Sequence, residues 1–256
     1  EYLLRHVVDL AAATRVLGRA RAVFAVTPAV RATLEAVVRP SAPITVVEGF
    51  VPVHAGPAVP TDDPDPASSL PDVPAGPRVG ALGTMSWYKG SDLFVAVARR
   101  VRALLDGVDV QLVWVGEEWR PEIRHELAHD VRRADLEGVV HFPGRLDDPR
   151  AFLRSLEVLL LPSREDSWPL VMLEAAAEGV PIVCFRGAGG AEHFVARGGG
   201  TAVPYLDVEA MAHAVVAYLT DPELRARHGM AARESARTPG PAEQIEKVAR
   251  VLATLH

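Results

Sequence analysis

Two acids, Asp166 and Glu174, bracket the segment Ser167-Trp-Pro-Leu-Val-Met-Leu173, which follows the apolar run Val158-Leu-Leu-Leu-Pro162. The run reads as a buried strand, residues 163–166 as a short polar turn, and Pro169 as the opening of a helix. Free backbone N–H groups and the positive end of the dipole make such a helix start an anion site. A phosphate held there has an acid on either side, each able to accept hydrogen bonds from hydroxyls. That layout suits a sugar joined to a nucleotide through phosphates, and the chemistry it points to is glycosyl transfer.

A glycosyl–phosphate bond breaks more easily when a cation steadies the departing charge. Lys89, in Gly83-Thr-Met-Ser-Trp-Tyr-Lys-Gly90, follows a strand and a loop and can supply one; the plainer reading is a solvated helix-start lysine. Gly187-Ala-Gly-Gly-Ala-Glu-His193 lies between another strand and helix, where glycine lets backbone approach a ligand closely. Any single glycine there also suits a plain tight turn. Asp166 or Ser167 could simply cap the helix, which is compatible with binding. Glu174 sits on a nearly all-apolar helix, and a carboxylate on a buried helix needs a partner. His193 reads as a surface or supporting group. The remaining histidines show no paired metal-ligand spacing, and the sole Cys184, inside the apolar run 181–185, reads as core packing.

The elements that must position these groups alternate from about residue 77 onward. Strands are predicted at 78–82, 110–115, 139–142, 158–161, 182–185 and 201–204. Helices are predicted at 90–105, 121–134, 149–155, 169–178, 191–197, 207–219 and 222–235. Apolar strands separated by helices indicate an α/β fold, a Rossmann-like doubly wound parallel sheet with ligands at the carboxyl ends of its strands. Ahead of it, a helix at 2–17, a strand at 22–26, a helix at 28–38 capped by Thr27 and a strand at 44–47 read as the tail end of a second α/β domain. Residues 52–77 carry eight prolines, a linker composition. The helix at 241–255 puts Ile245, Val248, Leu252 and Leu255 on one face, for which the front block is the natural cover.

With 49% apolar and 23% charged residues in 256, the chain is ordinary for a soluble globular protein. A net charge of −6 gives no reason to expect a nucleic-acid partner. No apolar run is long enough to span a membrane, and the first residues do not form a signal peptide. The sequence reading is therefore cytoplasmic.

Together these motifs resemble the retaining GT-B glycosyltransferases, specifically glycosyltransferase family 4 (glycosyl transferases group 1). The resemblance covers roughly residues 20–256 and is strongest from 79 to 205. It implies an incomplete acceptor domain at 1–51, a Pro-rich linker at 52–77, a nucleotide-sugar donor-binding domain at 78–238, and a terminal helix at 239–256 crossing back to the first domain. Gly83–Gly90 is similar to the family's Gly-Arg-x-x-x-x-Lys-Gly loop: Lys89 matches, whereas Thr84 stands in place of the arginine. Asp166 and Glu174 keep the spacing of the family's two glutamates, with the first acid one methylene shorter. The resemblance puts Asp166 beside the donor sugar's hydroxyls, with adjoining Glu165 as an alternate, and Glu174 on the nucleotide ribose.

The backbone around Ser167, Trp168, Leu170 and Val171 would then cradle the phosphates, and Gly189 and Gly190 would approach the sugar. The family often has Gly-Gly-x-x-Glu in that last loop; here the acid, Glu192, comes one place early and His193 takes its site. Gly144 and Arg145 lie where the family packs the base, Arg145 being equally readable as a solvated charge. Gly116-Glu-Glu118 also ends a strand near that place, and Arg164 is a candidate replacement for the missing phosphate cation. The catalytic set implied is Lys89, Asp166 and Glu174. Gly83 and Thr84 join the donor contacts, no metal holds the diphosphate, and no cofactor is required beyond the donor substrate.

The function expected on this basis is transfer of a sugar from a nucleoside-diphosphate sugar to an acceptor with retention of configuration, the chain being mainly the donor-binding half. The alternative is a non-catalytic nucleotide-sugar-binding or partner module. Expected partners are a nucleotide sugar and a saccharide or lipid-linked acceptor, in a polysaccharide-assembly setting, with peripheral contact at the inner membrane face through a missing half. The chain on its own is expected to be weakly active or inactive, because both cleft walls are needed to exclude water and position the acceptor. A nicotinamide dehydrogenase is disfavoured, since Gly80, Gly83 and Gly90 do not have the Gly-x-Gly-x-x-Gly spacing.

Overall fold

The computed structural model describes residues 9–50, 70, 72–105, 107–237 and 240–255. The predicted helix at 2–17 is seen as α1 (Leu10–Gly18), capped by the Asp9 carboxylate; its predicted start lies outside the described residues. β1 (Val23–Ala25), α2 (Pro28–Val37) and β2 (Ile44–Val46) follow. Thr27 Oγ1 accepts from the Val30 N–H, and Pro28 sits where a missing N–H costs nothing, so α2 starts as expected. β1 and β2 pair in parallel and share a small core of Val23, Ala25, Leu34, Val38 and Ile44. Phe24 and Val26 on the other side remain exposed.

The main sheet has six parallel strands: β3 (Arg78–Leu82), β4 (Gln111–Val115), β5 (Val140–Gly144), β6 (Val158–Leu161), β7 (Ile182–Phe185) and β8 (Gly200–Val203). Their spatial order is β5-β4-β3-β6-β7-β8. The order reverses between β3 and β6, which defines a crevice outside their carboxyl ends. Side chains alternate between two cores, as period-2 geometry demands. Val79, Leu112, Trp114, Val158, Leu160 and Phe185 face α3 (Ser91–Leu104), α4 (Pro121–Arg133) and α8 (Val208–Thr220). Val113, Leu159, Leu161, Ile182 and Cys184 face α5 (Arg150–Arg154), α6 (Leu170–Ala177), α7 (Gly190–Phe194) and α9 (Pro222–Arg237). Gly80 has no side chain because Leu156 and Phe152 occupy that space; a Cβ there would stand 2.4 Å from Leu156 Cδ1.

Three sequence expectations change. The helix predicted at 191–197 is α7 followed by a π turn, Val195–Gly199, because Gly198 takes φ +98° and the chain must swing into β8. The proline-rich stretch is not all linker: Leu70 and Val73 are buried in the second core. On the terminal helix α10 (Pro241–Ala253) the predicted apolar stripe is only partly covered, with Val248 and Leu255 half-buried. Ile245 and Leu252 are exposed, while Gln244 is fully buried and its Oε1 accepts from the Glu48 N–H. A backbone donor on the strap after β2 selected the buried face.

The sheet's far edge is closed by a polar chain. Tyr218 on α8 is fully buried, and its hydroxyl shares hydrogen bonds with Thr201 Oγ1 (2.8 Å) and His228 Nδ1 (2.7 Å). Burial, with Arg227 nearby, lowers the His228 pKa below its usual 6.5. The unfolded chain therefore takes up this proton first, so stability falls as pH drops below about 6.5. Tyr218→Phe is expected to lose about 1 kcal/mol in urea denaturation at neutral pH. An unmoved midpoint would show that the chain of hydroxyls carries no stability.

Candidate functional site

The loops at the carboxyl edge pair two by two. After β3 and β4, Gly83 N–H donates to Val115 O, Met85 N–H to Glu117 O, and Trp119 N–H to Met85 O. After β6 and β7, Asp166 N–H donates to Ala188 O and Gly190 N–H to Asp166 O. The crevice opens between these ribbons, at the switch point.

Lys89 and Asp166 meet across it. The Lys89 ammonium lies 2.5 Å from Asp166 Oδ2, with side chains 27% and 15% exposed. Gly90, at φ +77°, begins α3 without a side chain because a Cβ would fall 2.0 Å from the Pro162 carbonyl oxygen. That close approach brings the Lys89 loop against the end of β6. Gly189, at φ +135°, plays the same part on the other side, where a Cβ would stand 1.9 Å from Asp166 O. Both glycines hold conformations that L side chains rarely adopt.

α6 begins four residues after Asp166, with Pro169 as its N-cap residue. The first N–H groups of a helix, here those of Leu170 and Val171, have no intrahelical acceptor. Ser167 and Leu170 are exposed, while Trp168 and Val171 are buried. Trp168 Nε1–H donates to Gly49 O at 3.0 Å, tying this loop to the strap after β2. Glu174 is half-buried, and among the described residues nothing pairs with its carboxylate. Burial raises its pKa above the usual 4.5. A half-buried acid without a partner is a candidate hydrogen-bond acceptor for a ligand.

Gly83 and Gly187 take positive φ with open space where a Cβ would point, and Thr84 is exposed. Gly190 has its N–H committed to Asp166 O, and Glu192 accepts from the Gly187 N–H at 2.6 Å, so this loop is braced internally. Gly144 ends β5 at φ +87° and accepts from Gly116 N–H. Arg145 is exposed, with no ion pair or hydrogen bond among the described residues. Glu118 pairs with Arg124 rather than facing the crevice as a lone acid.

Arg164 is not a loose cation standing in at Thr84. Its guanidinium grips the Asp92 carboxylate at 2.8 and 2.7 Å and donates to Trp87 O at 2.6 Å. The sequence reading also passed over Glu48, whose carboxylate accepts two hydrogen bonds from Arg197 at 2.9 Å, with His193 Nε2 at 3.6 Å. Its place just after a predicted strand was the one available signal. Among the described residues no cluster of His, Cys, Asp and Glu could hold a metal ion, and no helix is long and apolar enough to cross a membrane.

Residues 76–221, more than half of the chain, match the glycosyl transferases group 1 family. A lipopolysaccharide core biosynthesis mannosyltransferase of Rhizobium leguminosarum bv. viciae is 31% identical over 157 residues, 59% of this chain and 43% of that protein. A lipopolysaccharide core biosynthesis glycosyltransferase of Rhizobium meliloti is 36% identical over 159 residues, 61% of this chain and 44% of that one. The chain thus spans less than half the length of these curated relatives. Sucrose-phosphate synthase from Thermosynechococcus elongatus superposes with a TM-score of 0.82 at 21% identity, over 98% of this chain and 64% of that one. Anabaena Alr3699/HepE, solved in complex with UDP and glucose, gives 0.82 at 20% identity over 96% and 66%. At these identities the two structures speak for the fold, a GT-B-type α/β sheet.

Proposed function

The chain belongs to the glycosyl transferases group 1 family, and from that premise we propose that it is mainly the donor-binding part of a retaining, metal-independent glycosyltransferase. The observation that carries the reading is the Lys89–Asp166 pair at the switch point, four residues ahead of the α6 start and on the same loop-helix unit as unpartnered Glu174. In this reading a nucleoside-diphosphate sugar lays its phosphates against the N–H groups of Leu170 and Val171, with Lys89 as counter-charge. Glu174 accepts from the ribose, Asp166 orients the sugar, and Gly144 and Arg145 border the base. The bond from the anomeric carbon to the diphosphate breaks, the acceptor oxygen bonds to that carbon on the same face, and its proton ends on the departing diphosphate.

The division proposed is an acceptor-side segment at 1–51, a connection at 52–77, the donor domain at 78–238 and a return helix at 239–256. The relatives' names, in lipopolysaccharide core biosynthesis, support a saccharide or lipid-linked acceptor, and its handling at the cytoplasmic membrane face is part of the same proposal. Thr84, in place of the family's arginine, favours the second reading of a module that binds a sugar nucleotide without turning it over.

Calorimetric titration with UDP, GDP and ADP, with NAD as control, separates these readings from a different ligand class. One saturating nucleoside diphosphate is expected; absence of binding by the folded chain sinks the donor reading. The pH dependence is specific. Ribose hydroxyls donate to a carboxylate, so affinity should rise with pH as Glu174 ionises above its usual range, then level off. The same raised pKa means that Glu174 costs stability as pH rises through it. Glu174→Gln is therefore expected to weaken binding roughly three- to tenfold, flatten the pH profile and leave thermal stability equal or higher. A variant that loses stability and keeps the profile would place Glu174 in the core rather than the site.

A further inference from the structure

We infer that Arg164 is a positioning residue for Lys89, clamping the start of α3 through Asp92 so that the lysine stands at the crevice, and that it does not itself take the donor's phosphates. The inference rests on the reading that Lys89 faces a diphosphate. Arg164 lies two residues before Asp166 and is the buried partner of its ion pair, 13% exposed against 44% for Asp92. Its planar fork meets both carboxylate oxygens of Asp92, and one of the same nitrogens also reaches the Trp87 carbonyl. The guanidinium carbon sits 4.6 Å from the Trp87 ring centroid. Such a bidentate, ring-stacked arrangement uses geometry that a lysine cannot reproduce.

The backbone continues the seam. Arg164 N–H donates to Tyr88 O at 2.8 Å, and the Tyr205 hydroxyl donates to Arg164 O at 3.2 Å. The contacts fall on Trp87, Tyr88 and Asp92, on both sides of Lys89. The side chain therefore fixes the two ends of the short stretch that carries the ammonium to Asp166. A cation free to meet a phosphate would not be shared between a carboxylate, a carbonyl and an indole face. Asp92 is also suited to the first turn of α3, where the helix dipole favours an acid. The clamp thus has a reason to persist before any ligand arrives.

Lys89 and Lys247 are the two lysines of the chain, which makes the clamp directly observable. Reductive 13C-methylation keeps the lysine charge, and two-dimensional NMR of the full chain then gives one dimethyl-lysine signal from each. In Asp92→Asn and Arg164→Gln the Lys89 signal is expected to move to the position of a solvent-exposed lysine, with Lys247 unmoved. Asp92 is the more exposed partner, so its variant carries the test should Arg164→Gln fail to fold. Titration with the nucleoside diphosphate that binds the wild type should show affinity falling severalfold in Asp92→Asn, whereas Asp92→Asn added to Lys89→Ala should cost nothing beyond the loss from Lys89→Ala itself.

A Lys89 signal unmoved in Asp92→Asn overturns the inference. So does an affinity gain in that variant, because releasing Arg164 would then have supplied a phosphate cation. A wild type that binds no nucleoside diphosphate overturns the donor reading instead, and the Lys89 signal still decides whether the clamp exists.

Discussion

Lys89→Ala is expected to weaken nucleoside-diphosphate binding by about 10- to 100-fold, the range of one or two charge-assisted hydrogen bonds. The fold should survive. The Lys89–Asp166 pair is partly exposed, so its contribution to stability is about 1 kcal/mol or less, which corresponds to roughly 2–4 °C in Tm for a chain of this size. The effect on binding is larger than that on stability because the lysine meets a doubly charged group only when ligand is present. Calorimetric titration paired with thermal denaturation reads both. Unchanged affinity in a folded variant would remove Lys89 from the site, and with it the charge logic of the proposal.

Gly189→Ala should be among the most damaging single added methyls in the described loops. The residue takes φ +135° and ψ −143°, a region that is nearly glycine-only, and the new Cβ would fall 1.9 Å from the Asp166 carbonyl oxygen. Backbone cannot step aside as a flexible side chain does, so the Asp166–Gly189 bridge must open. A loss of about 3 kcal/mol or more is expected in urea denaturation, together with loss of nucleotide binding because Asp166 shifts. Gly187→Ala is the control two residues away. Its φ of +70° carries strain, yet nothing lies within 4 Å of the added methyl. About 1 kcal/mol is expected there, and equal losses at the two positions would contradict the close-approach argument.

Much of this architecture was legible in the residues themselves. β3, β6 and β7 occupy the runs predicted for them, because strands buried on both faces are nearly uninterrupted apolar text bounded by polar turns. α2 begins at Pro28 behind its Thr27 cap, a signal contained in a few adjacent residues. The candidate site residues Lys89, Asp166 and Glu174 were identifiable by type, spacing and family likeness. α7 was overextended because a π turn and a run of glycines end it, and the need to enter β8 is not written in the helix's own periodicity.

Partnership is what the sequence left open. Arg164 and Asp92 are 72 positions apart, and Arg164 read as a candidate phosphate cation with nothing to tie it to Asp92; the order reversal between β3 and β6 makes them neighbours. Of the predicted packing face of α10, Val248 and Leu255 are half-buried but Ile245 and Leu252 stay exposed, whereas Gln244 goes inside, where its Oε1 accepts from the Glu48 N–H. The sequence alone determined the elements, the doubly wound sheet and the residue types of the site, since these follow from short-range periodicity, caps and turns. The tertiary structure alone decided which charges meet, since an ion pair or a buried amide is chosen by whatever distant group the fold delivers to it.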